Sequence, residues 1–145
     1  MDQLEPYLFF NGDCADAMRF YEQALGGEIQ MMMKASEAPV PSEHAASRPD
    51  GILHAALSFG GHRLLASDWM AQEPFPGQRG VSIAIGYPMV EDAKRAFEAL
   101  VVGGKVDMPM EKTFWIESFG MLTDKFGTHW MVSGGKPAEM PNTNR

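Results

Sequence analysis

The sequence predicts an α+β fold built from two tandem βαβββ modules. Three observations carry this reading. First, the pairs Gly26-Gly27 and Gly103-Gly104 stand 77 positions apart, and the same offset carries Phe20 to Phe97 and Ile29 to Val106. A period that fills the whole chain in two copies marks an internal repeat. Second, each Gly-Gly pair closes a stretch of helical apolar spacing and precedes a β-type run, and a helix between two strands packs naturally onto one sheet face. Third, Trp115–Ser133 reads as two strands around the turn Asp124-Lys125-Phe126-Gly127, which closes the second copy. Asp first and Gly last suit a type I turn. A Phe inside such a turn is expected to fold back onto apolar neighbours.

In the first module Tyr7–Phe10 is a short aromatic strand. Asn11-Gly12-Asp13 breaks it and offers helix caps. Cys14, Ala17, Met18, Tyr21 and Leu25 then fall on one helical face. Gly26-Gly27 ends the helix in the usual C-terminal way. Glu28–Lys34 is the second strand. Residues 35–51 hold Pro39, Pro41 and Pro49 and read as a long loop with one helical turn around Ser42–Ser47; loops of this length are often lids or disordered segments. Ile52–Phe59, the turn Gly60-Gly61 and Arg63–Ser67 complete the module.

Residues 69–79, with Pro74, Pro76 and Gly77, form a linker. The second module opens with a strand over Gly80–Gly86, which Pro88 ends. A helix follows with Val90, Ala93, Phe97, Leu100 and Val101 on one face. Lys105–Met108 is the next strand, Met110–Phe114 a connection, and Gly120–Thr123 with Thr128–Ser133 the closing pair. One domain is expected over residues 1–136, with module one at about 5–68 and module two at about 80–134. Residues 137–145 are polar and read as a loose tail.

Composition bounds the function. At 145 residues, 45% hydrophobic and 21% charged, the chain reads as an ordinary globular domain. A net charge of −7 argues against nucleic acid or an anionic membrane as partner. No apolar run is long enough to span a bilayer, and the acidic start is unlike a signal peptide. The lone Cys14 fits a reducing, cytoplasmic location. Neither GxGxxG nor GxxxxGK[ST] occurs, so no nucleotide-phosphate loop is expected.

The segments PYLFFNGDCADAMRFYEQALGGEI, HAALSFGGHRLLASD, and the run from KRAFEALVVGGKVDMPMEKTFW to FGMLTDKFGTHWM resemble the vicinal oxygen chelate superfamily. It includes glyoxalase I, the extradiol dioxygenases and the fosfomycin- and bleomycin-resistance proteins. The match is closer to the phosphonate-operon B-like branch. The resemblance implies a cup-shaped mixed sheet formed by both modules, helices on its outer face, a pocket inside, and a homodimer. It also implies four His, Gln or Glu ligands to one divalent ion, from the first and fourth strands of each module. Those positions fall here at Pro6 or Tyr7, at Leu65 to Ser67, near Ser82 and at Met131. None is His, Gln or Glu, so no metal site of the usual kind and no cofactor is expected. Members of this branch are sometimes labelled methyltransferases, but the chain has no glycine-rich loop after a strand and is too short for a doubly wound cofactor domain.

Alternation along the strands gives the expected pocket lining: Leu8, Phe10, Ala56, Ser58, Ser67, Ser82, Ala84 and Met131, with Trp115 as a wall or a core residue. His54 and His129 are the candidate acid–base or ligand groups, because imidazole titrates near neutral pH. Asp68 is the candidate that orients an imidazole or accepts a proton, against the alternative that it caps the turn into the linker. His44 and His62 are expected at the surface. The reading is a metal-independent, homodimeric binder of a small organic ligand. The alternatives are an enzyme using His54, Asp68 and His129, with an unusual metal or by acid–base chemistry, and a purely structural subunit.

Overall fold

A helix with one apolar stripe has to bury that stripe, and each half of this chain does so against a four-stranded sheet of its own. The computed structural model describes residues 2–39 and 48–138. The first unit holds β1 (Tyr7–Phe10), α1 (Cys14–Leu25), β2 (Glu28–Lys34), a 3-10 turn (Ala35–Glu37), β3 (Ile52–Phe59) and β4 (His62–Asp68). The second holds β5 (Ile83–Tyr87), α2 (Val90–Leu100), β6 (Lys105–Glu111), β7 (Ile116–Thr123) and β8 (His129–Pro137). The chain divides into these compact units between Arg79 and Gly80. The sheet orders are β1-β4-β3-β2 and β5-β8-β7-β6. In both, the first strand runs parallel to the fourth and the other pairings are antiparallel. The α+β fold of tandem βαβββ modules is therefore present.

The core of the first unit lies between α1 and its sheet. Cys14, Ala17, Met18, Tyr21 and Leu25 are buried as the spacing predicts, as are Leu8, Phe10, Ala55, Leu57 and Ala66 on the sheet. In the second unit Ala93, Ala96, Phe97 and Leu100 of α2 are buried, as are Leu122, Trp130 and Val132 on the sheet. A Cβ on Gly134 would collide with the Ala93 side chain, so glycine lets α2 approach β8 closely.

The repeated Gly-Gly pairs have a two-part cause. Gly26 and Gly103 adopt left-handed backbone, with φ of 79° and 78°, a conformation that favours glycine. Gly27 and Gly104 answer a different need. A Cβ on either would strike a backbone carbonyl of the adjoining β-structure, Ser58 in one unit and Thr123 in the other.

Several boundaries differ from expectation. β5 begins at Ile83, so Ser82 precedes the strand and Val81 is exposed. β6 runs on to Glu111 through Pro109, which an edge strand with register shifts tolerates. β7 and β8 are likewise longer than the hairpin alone suggested. Asp13 makes no side-chain cap on α1; Asp68, 54 residues after Cys14, takes that role. The expected turn at 124–127 forms, with Gly127 N–H donating to the Asp124 carbonyl at 3.0 Å. Phe126 is half-buried there, and the Lys125 ammonium lies 5.4 Å from its ring centroid. The helical turn expected around Ser42–Ser47 lies outside the described residues, as do residues 139–145 of the expected tail.

Candidate functional site

Residues directly opposite in a sheet share a face, so register shows what each sheet presents away from its helix. In the first unit one row runs Met33, His54, Ser67, Phe9 and the next Met31, Ala56, Leu65, Tyr7. Ala56, Ser58 and Ser67 therefore lie on this face. Leu8 and Phe10 do not. They are buried under α1, with the Phe10 ring 6.3 Å from that of Tyr21, and Tyr7 and Phe9 take the open face instead. The run Tyr-Leu-Phe-Phe is apolar throughout, so its pattern alone does not show which residues face the helix. Pairing with β4 decides it.

Tyr7 and Phe9 belong to an aromatic series. Their centroids are 5.1 Å apart, Phe9 meets Trp69 edge-on at 5.4 Å, and Trp69 meets Phe75 at 6.0 Å. Trp69 is fixed at two points. Its amide donates to the Phe10 carbonyl at 2.6 Å, and its indole N–H donates to the Glu73 carbonyl at 2.8 Å. A hollow of about 270 Å³ lies here, lined by Phe9, Leu53, Ser67, Asp68, Trp69, Met70 and Ala71. A larger hollow of about 570 Å³ beside Asp2–Glu5, His62 and Arg63 is more polar, and Glu5 holds Arg63 there through two hydrogen bonds of 2.6 and 2.9 Å. That contact lowers the Glu5 carboxyl below its ordinary range.

The three sequence candidates separate. His54 stands on the open face, with Nδ1 3.3 Å from the Tyr7 hydroxyl. Asp68 points to the other face and is 2% exposed. Its Oδ1 accepts the Gly12 and Cys14 amides at 2.8 and 3.0 Å, and its Oδ2 accepts the Ile52 amide at 2.7 Å. The carboxylate thus ties β4 to the start of α1 and the start of β3, and it does not orient His54. Cys14 beside it is fully buried, and desolvation followed by the Asp68 charge pushes its thiol pKa upward.

His129 lies in the second unit, in a row with Thr123 and Lys105. The Thr123 hydroxyl donates to Asp107 Oδ2 at 2.7 Å and stands 2.9 Å from His129 Nδ1. With its proton directed at Asp107, the hydroxyl has a lone pair to accept a hydrogen bond from the imidazole. The Thr123 hydrogen bond, aided by Lys105 and His129, lowers the Asp107 carboxyl below its ordinary range. The next row holds Ala84, Met131, Met121 and Met108. Trp115 is partly exposed and packs edge-on against Phe114 and Phe119, at 4.8 and 5.3 Å.

Sequence reasoning missed Phe9, Trp69, Thr123 and Asp107. The sequence signal for Tyr7 and Phe9 was their period-2 spacing. Thr123 and Asp107 are joined to His129 only by strand register.

The profile of the Glyoxalase/Bleomycin resistance protein/Dioxygenase superfamily matches residues 3–132. The chain belongs to this superfamily. Protein YjdN of Escherichia coli K12 is 34% identical over 137 residues, covering 90% of this chain and 93% of YjdN. The crystal structure of PA1353 from Pseudomonas aeruginosa is 41% identical, with a TM-score of 0.85 over 93% of this chain and 98% of that one. A PhnB protein from Bacillus cereus shares the fold, at 21% identity and a TM-score of 0.75, covering 92% of this chain and all of its own.

The residues present do not fit a hard divalent ion held by carboxylates and imidazoles. At the positions where the resemblance puts ligands, the first unit offers Tyr7 paired with Leu65, with Ser67 two residues on, and the second offers Ser82 just before β5 and Met131 on β8. A phenol, hydroxyls, a thioether and hydrocarbon make poor ligands for such an ion. Among the described residues no three of His, Cys, Asp or Glu are grouped to hold a metal. No helix among them is long and apolar enough to cross a membrane.

Proposed function

We propose that this superfamily member is a homodimeric small-molecule-binding protein of the phosphonate-operon B-like branch, acting in the cytoplasm and without the four-ligand metal site. The hollow beside Phe9 and Trp69 supports this most directly. It is lined by Phe9, Leu53, Trp69, Met70 and Ala71, with Ser67 and Asp68 as its polar residues. Small-molecule sites are generally apolar with a few placed polar groups. At about 270 Å³ it lies just under the range typical of drug-sized ligands, roughly 300–1,000 Å³, so it suits a compact ring compound. Native mass spectrometry of untagged protein, with metal analysis on the same sample, tests the reading. A bound organic molecule is the expected result. A stoichiometric divalent ion lost on His54→Ala or His129→Ala would overturn it.

A second reading, an acid–base enzyme, rests on the His129–Thr123–Asp107 chain. Hydrogen bonds of 2.9 and 2.7 Å orient an imidazole for proton transfer. If a turnover is found, loss on His129→Ala and partial loss on Thr123→Val support this reading. Full activity in both removes it.

A further inference from the structure

Three of the chain's methionines share one row of the second sheet. Register sets Met108 of β6 opposite Met121 of β7, and Met121 opposite Met131 of β8. All three are half-buried and lie on the face away from α2, where Ala84 ends the row on β5. Side chains directly opposite in adjacent strands have Cβ atoms about 4.5–5.5 Å apart. Methionine has three rotatable side-chain bonds and a polarisable sulfur. The three side chains can therefore reach toward one point above Met121, the middle strand's residue, with the bulged edge strand carrying Met108 between two register shifts.

The donor chemistry selects the ion. Thioethers are soft and uncharged, so they favour Cu(I) and give little to Zn²⁺, Mg²⁺ or Mn²⁺. We propose that Met108, Met121 and Met131 form a three-thioether site for a soft monovalent cation, Cu(I). The neighbouring row does not bar a cation, because Lys105 is paired with Asp107 at 3.5 Å. Cys14 does not compete as a ligand: its thiol is fully buried in the other unit and burial keeps it protonated. The site is independent of the organic-ligand reading, which rests on residues of the first unit.

The test is an anaerobic titration of the full chain against a chromophoric Cu(I) chelator, with copper alone as the probe. The wild type should withdraw one equivalent of Cu(I), and X-ray absorption of that sample should show sulfur neighbours. Met121→Leu keeps the volume and the fold, which circular dichroism checks, and should weaken binding at least tenfold. Met31→Leu, on the sheet of the first unit, should leave it unchanged. Zn²⁺ in excess should not displace the copper. The proposal is overturned if the wild type takes up no Cu(I), if Met121→Leu binds as the wild type does, or if Met31→Leu weakens binding equally.

Discussion

Replacing Asp68 with alanine is expected to destabilise the first unit severely. The carboxylate accepts three backbone N–H groups from two separate segments, Gly12 and Cys14 at the start of α1 and Ile52 at the start of β3. It is 2% exposed, so water replaces it poorly. A hydrogen bond to a charged group contributes about 1.5–3 kcal/mol, and a buried donor left unmade costs about 1–3 kcal/mol. Three such donors do not add fully, because water enters part of the vacated space, and a net loss of about 3–5 kcal/mol follows. With a urea dependence of roughly 2 kcal/mol per molar, the midpoint should fall by about 2 M. Asp68→Asn keeps one acceptor oxygen and should lose about half as much. Urea denaturation followed by circular dichroism measures both. A midpoint within about 0.3 M of wild type for Asp68→Ala would refute the argument. A stable Asp68→Ala that had lost a measured activity would return Asp68 to the catalytic candidates.

Other outcomes follow from the same geometry. Gly104→Ala forces a methyl into the Thr123 carbonyl and the Asp124 backbone; a loss of about 1–3 kcal/mol is expected in thermal unfolding, and an unchanged melting temperature would contradict the close approach. The Asp107 carboxyl is held below its ordinary value chiefly by the Thr123 hydroxyl. A lowered folded-state pKa stabilises the fold above the ordinary carboxylate range and is lost as pH falls through the folded value. In Thr123→Val the Asp107 pKa should therefore rise toward the ordinary value by carbon-detected NMR titration, and the variant's stability deficit should shrink at acid pH. Phe9→Ala and Trp69→Ala should each weaken binding of a small aromatic probe such as indole at least tenfold by calorimetry, whereas Trp115→Phe should not. Equal affinity in all three would remove the ligand site from the first unit.

How much of this was legible beforehand differs by level. The two helices, their buried stripes and the Gly-Gly repeat were readable because helical spacing and glycine backbone freedom are local properties. The ends of β5 to β8 were not, since strand length depends on which partner supplies hydrogen bonds. The side of β1 facing the helix was misread, because four successive apolar residues carry no contrast. Asp68 was read as an imidazole-orienting or proton-accepting group or as a cap on the turn into the linker, since a sequence cannot show that its three donors lie 16 to 56 positions away.

By itself the sequence determined the module and its duplication. These depend on residue identity and short-range spacing. The tertiary structure alone decided which side chains act together. It put Tyr7 and Phe9 rather than Leu8 and Phe10 on the open face, turned Asp68 into a structural tie, linked His129 to Asp107 through Thr123, and aligned three methionines in one row. Strand register produced each of these arrangements, and register is fixed by pairing between segments far apart in the chain.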